Sequence, residues 1–170
     1  MKIIYIKIKN YKSIRELEIN DIENALILVG KNNTGKTSVI DALLLASDLK
    51  PAPTHEFLDI TKPIDISIQI EFTEEDLNYY YSRGILCKSN SFEKWFEEFK
   101  ERIPSYKDGI VSFTFHNNPN GTTRYNDGFN KHNPDIEKII PKIYHIDQTR
   151  NLEALQNDVF SFYDKESFQK

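Results

Sequence analysis

Gly30-Lys31-Asn32-Asn33-Thr34-Gly35-Lys36-Thr37 fits the spacing G-x-x-x-x-G-K-[ST], and Ser38 follows directly. Each fixed position has a physical task. The glycines Gly30 and Gly35 admit backbone angles that a side chain would obstruct, so successive N–H groups can turn inward. Those donors, around Asn32, Asn33, Thr34 and Gly35, combine with the positive end of a following helix to cradle phosphate groups. Lys36 brings a point charge to the terminal phosphates, and the Thr37 hydroxyl can ligate Mg²⁺. A chance match in a chain of 170 residues is on the order of 1%, given the ordinary frequency of glycine. The loop therefore predicts a nucleoside triphosphate site, with ATP and Mg²⁺ as cofactors.

Such a loop needs a buried strand before it and a helix after it. Ala25-Leu26-Ile27-Leu28-Val29 is a continuous apolar run, the pattern of a strand covered on both faces. From Lys36 to about Asp48 the period turns helical, with Val39, Ile40, Leu43 and Leu44 on one face and Pro51 and Pro53 as stops. Upstream, Ile4, Ile6 and Ile8 alternate with Tyr5, Lys7 and Lys9, and Ile14, Leu17 and Ile19 suggest a second strand pairing back. Downstream come a strand at 64–72, helices at 74–83 and 91–103, a strand at 110–115 and a hairpin through Asn117–Gly121. A short strand at 143–146 and a helix from Leu152 to about Phe162 complete the order. The fold class is α/β: a P-loop lobe with a mixed β-sheet, an antiparallel N-terminal strand pair, and a P-loop strand followed by a helix. No linker interrupts 1–170, which reads as one domain.

The first forty residues resemble the N-terminal lobe of the ABC-type ATPase heads of the SMC, RecF and OLD (overcoming-lysogenization-defect) families. The resemblance runs through Ile6-Lys7-Ile8-Lys9-Asn10-Tyr11-Lys12-Ser13-Ile14, then Leu28 to Ser38, then Ile40-Asp41-Ala42-Leu43. Those families open with a strand ending in Asn, an aromatic, a basic residue and often Ser. The Gly-x-Asn-(Asn or Gly)-x-Gly-Lys-(Ser or Thr) loop follows about twenty residues later, ahead of a helix with an acidic-Ala-(Leu or Ile) step.

The resemblance implies that Lys12 and Ser13 lie beside the bound nucleotide. It implies a Q-loop glutamine at Gln148, reaching the Mg²⁺ or the attacking water. It also implies that two heads sandwich ATP, as a homodimer or with a C-terminal lobe. DNA is a possible partner of the complete assembly, in repair, recombination or phage defence. The family hydrolyses ATP with a Ser-Gly-Gly loop and an apolar strand ending in Asp-Glu. The six glycines here include no adjacent pair, and no such strand is present. Asp147 is a weaker imitation of the metal-holding acid. The expectation is a lobe taken from a longer protein, binding nucleotide without turnover by itself. A self-contained nucleotide kinase is the alternative, set against few arginines. A non-hydrolysing nucleotide-binding interaction module is a third.

Other chemistries fit less well. The net charge of −4 argues against a chain that binds nucleic acid over its whole surface. Lys7, Lys9, Lys12 and Arg15 could form a small basic stripe, though solvated lysines guarding a strand explain them too. The histidines at 55, 116, 132 and 145 are scattered, without zinc-site spacing. Cys87 is the single cysteine, so no internal disulfide can form, which fits a cytoplasmic setting. No apolar stretch is long enough to span a membrane. The stripe Phe92, Trp95, Phe96 and Phe99 reads as core, and Tyr79-Tyr80-Tyr81 cannot share one helix face.

Overall fold

The computed structural model describes residues 1–31, 35–141 and 143. Strand β1 runs from Lys2 to Tyr11 and β2 from Ile14 to Ile19, joined antiparallel through Lys12 and Ser13. Helix α1 follows at Lys36–Asp48, and a 3-10 turn at Thr54–Glu56 leads toward β3, Ile64–Glu71. Helices α2, Glu74–Ser82, and α3, Phe92–Arg102, precede β4, Ile110–Asn117. Strand β5, Thr123–Asn126, and the short helix α4, Ile136–Ile139, complete the described elements. The sheet order is β2-β1-β3-β4-β5, and every pairing is antiparallel.

Alternation decides which residues are covered. Ile64, Ile66, Ile68 and Ile70 are at most 3% exposed, while Asp65, Ser67 and Gln69 point to the other, wetter face. Ile6 and Ile8 of β1 and Phe113 and Phe115 of β4 join the covered set. Val39, Ala42 and Ala46 of α1 and Trp95 and Phe99 of α3 pack into the same core. Fully burying each such isoleucine or phenylalanine stabilises the fold by about 1.5–3 kcal/mol. The aromatic stripe of α3 is thus core, and its indole N–H donates to the Ile85 carbonyl at 3.0 Å. Of the three tyrosines, Tyr80 is buried and Tyr79 is half-exposed.

Helix α1 is anchored at its far end. Its last carbonyls have no partner within the helix. Tyr125 of β5 donates its hydroxyl to the Ala46 carbonyl at 2.6 Å, and Thr123 donates to Leu49 O at 3.0 Å. Side chains of the sheet edge thus serve as the C-terminal cap of α1.

The run 25–29 departs from expectation. It forms no strand, and Ile27 and Val29 are 80% and 85% exposed. A strand apolar on both faces needs neighbours on both edges and cover above and below. The described residues place their strands in an antiparallel sheet that ends at β2 and β5; of this run only Leu28 packs against the core, partly buried. The sheet is accordingly antiparallel throughout among the described residues, where a mixed one was expected. The expected strand at 143–146 beyond Ile143, the helix at 152–162, Asp147 and Gln148 lie outside the described residues.

Candidate functional site

Helix α1 begins at the loop. Gly35 is its N-cap, with φ 89° and ψ 7°, a left-handed conformation that a β-carbon would strain. As glycine it has no side-chain oxygen to cap the N–H groups of the first turn. Lys36 stands next, and its ammonium donates to the carbonyls of Gly30 at 2.7 Å and Lys31 at 2.6 Å. The lysine therefore ties the start of the helix to the first two residues of the motif. Thr37 is exposed and Ser38 half-buried on the same first turn, so both hydroxyls belong to the mouth of the helix. Asn32, Asn33 and Thr34 lie outside the described residues.

The Asn10-Tyr11-Lys12-Ser13 segment has a separate job for each side chain. Asn10, buried and left-handed at φ 60°, donates its amide nitrogen to the carbonyls of Asp59, Lys62 and Pro63 at 2.8–3.1 Å. Its amide oxygen accepts from the Asp59 N–H at 2.7 Å. One side chain thus clamps loop 58–63 onto the corner of the β1–β2 hairpin. Tyr11 is 2% exposed and donates its hydroxyl to Glu56 at 3.1 Å. Lys12, at φ 49°, reaches Asp41 of α1 at 2.5 Å and Glu56 at 3.4 Å. Partial burial pulls the Lys12 ammonium down. The hydrogen bond to Asp41 and the negative charges of the Glu56 and Asp41 carboxylates outweigh it, so the proton is held more firmly than on an ordinary lysine. The Ser13 hydroxyl lies 3.4 Å from where a β-carbon on Gly35 would stand.

Of Lys12 and Ser13, singled out from the sequence, the first reaches α1 through Asp41 and the second lies near the Gly35 cap. Asn10, Asp41 and Glu56 were not singled out. Asn10 and Asp41 lay within the quoted segments, and only their long-range partners show what they do.

The basic stripe is neutralised from within. Lys7 pairs with Glu16 at 3.0 Å and Glu18 at 2.9 Å, Lys9 with Glu16 at 3.4 Å, and Lys12 with Asp41. Three of its four cations are thus held by carboxylates of the same domain. Among the described residues no group of three or more His, Cys, Asp or Glu could hold a metal, and no helix is long and apolar enough to cross a membrane.

Residues 1–170 match a protein-family profile described as AAA ATPase domain. An uncharacterized protein of Methanocaldococcus jannaschii is 45% identical over 40 residues, covering 24% of this chain and 18% of that protein. The matched segment is thus under a fifth of that relative's length. A solved structure from work on ATP-driven dimerization and DNA-stimulated activation of SMC ATPases superposes with a TM-score of 0.43 at 17% identity. That superposition covers 74% of this chain and 68% of the other.

Proposed function

The chain belongs to the AAA ATPase domain family, and from that premise we propose that it is the ATP-binding lobe of an SMC/RecF/OLD-like ATPase. The observation that carries this reading is the arrangement of Gly35 and Lys36: a left-handed glycine caps α1, and the adjacent ammonium folds over the loop to Gly30 and Lys31. A polyphosphate seated there would meet backbone N–H groups, the helix end and a mobile positive charge together. In this reading Gly30, Asn32, Asn33, Thr34, Gly35 and Lys36 bind the phosphates, and Ser38 adds a hydroxyl. Thr37 ligates Mg²⁺, with Gln148 as a second ligand that also helps place the attacking water. Lys12 and Ser13 line the rim. The Mg²⁺ supplies charge neutralisation between the outer phosphates.

In this reading the exposed side chains of Ile27 and Val29 are covered in the complete assembly. A C-terminal lobe, or a second copy, would supply their cover. The complete protein would then couple nucleotide binding to head dimerisation and hydrolysis, with DNA repair, recombination or phage defence as the setting. This chain by itself contains no Ser-Gly-Gly loop and no apolar strand ending in Asp-Glu, so it should bind Mg·ATP with negligible turnover. Calorimetric titration of Mg·ATP tests the reading: wild type binds and Lys36→Ala does not. Undiminished binding by Lys36→Ala would remove it.

A further inference from the structure

The β1–β2 turn lies beside the phosphate-loop helix. Lys12 reaches Asp41 in its second turn, and the Ser13 hydroxyl lies 3.4 Å from the point a β-carbon on Gly35 would occupy. The other partners of this turn come from a frame outside α1. Lys12 N–H donates to Glu56 O at 2.6 Å, Glu56 receives the Tyr11 hydroxyl, and Asn10 clamps the following loop. Lysine has a long flexible stem. Between its two carboxylates, Asp41 alone belongs to α1, so Asp41 decides whether the ammonium is tied to the helix or only to the frame.

Resting on the nucleotide-binding reading above, we propose that Asp41 is a positioning residue for nucleotide: it holds Lys12, and with it the Ser13 turn, in register with the phosphate loop. The side chains of the pair are 29% and 30% exposed, a setting in which an ion pair contributes little to overall stability. Its consequence falls on geometry. Without the carboxylate at 41, the ammonium turns to Glu56 and the turn loses its ion pair to α1.

A double-mutant cycle on the 170-residue chain tests this, reading Mg·ATP affinity by calorimetry and thermal midpoints by circular dichroism. Asp41→Asn should weaken binding about tenfold, the scale of coupling between contacting residues, with the midpoint close to that of wild type. Lys12→Met should weaken binding as well, and adding Asp41→Asn to it should cost nothing further. Asp41→Glu, which keeps the charge, should recover much of the affinity. Unchanged affinity in Asp41→Asn, fully additive losses, or no recovery in Asp41→Glu overturns the assignment. So does an Asp41→Asn chain that fails to fold, since the pair would then be a fold determinant. If wild type does not bind, the nucleotide reading itself fails. If binding is lost in Lys36→Ala yet intact in Asp41→Asn, only the role of Asp41 fails.

Discussion

The Ser13 hydroxyl stands 3.4 Å from the point where a β-carbon on Gly35 would lie. That distance is ordinary contact for a β-carbon and leaves no room for a larger group, so the hairpin turn lies close beside the cap of α1. The backbone of Gly35, at φ 89°, sets the stricter demand. Gly35→Ala should therefore destabilise the chain by about 1–2 kcal/mol through the left-handed angle. Larger side chains should add a collision with Ser13. Urea unfolding followed by circular dichroism measures the cost, and Mg·ATP titration should show a loss of binding greater than the loss of stability explains.

Asn10 makes its hydrogen bonds to a loop about fifty residues away. Asn10→Ala removes them and leaves alanine at φ 60°. A loss of about 2–4 kcal/mol is expected, the range for breaking a buried polar network. Asn10→Gly should cost less because it relieves the backbone angle. Equal unfolding midpoints for the alanine variant and wild type would show that the clamp contributes nothing.

Val29 offers the opposite test. At 85% exposure, Val29→Asp should change the stability of the isolated chain by no more than about 0.5 kcal/mol. In the proposed assembly with a C-terminal lobe or a second copy, the same change should abolish association, read by co-purification and light scattering. A large loss of stability in the isolated chain would mean that the run is covered within the domain.

Asp127 gives a pH dependence. Burial pushes its carboxyl up, but N–H donors from Asn130 and Phe129 and the amides of Asn133 and Asn130 outweigh that and hold it below the ordinary carboxylate value. A lowered folded value stabilises the fold wherever the unfolded chain has released its proton. The contribution is therefore present above about pH 4 and lost as pH falls through the folded value. Asp127→Asn should lower the urea midpoint at neutral pH and flatten its acid limb. An identical acid limb in both proteins would exclude the effect.

Much of the architecture was legible from local pattern. The period-two alternation of Ile64, Ile66, Ile68 and Ile70 predicted both the strand and its covered face, because successive side chains of a strand point oppositely. The helical period and the prolines beyond predict α1 from Lys36 to about Asp48, and it runs over Lys36–Asp48. The loop motif needed only its spacing. These are short-range properties, written in neighbours along the chain.

Tertiary structure decided the rest. Nothing near Asn10 announces that its amide will meet Asp59, Lys62 and Pro63, and nothing near Lys12 names Asp41 as its partner. The sheet brings these groups together after long loops close, and a side chain's role then follows from what it meets. The run 25–29 makes the same point in reverse. Its composition specifies a strand buried on both faces, but burial is a relation to neighbours, and the described residues cover only Leu28 of it in part, leaving Ile27 and Val29 exposed.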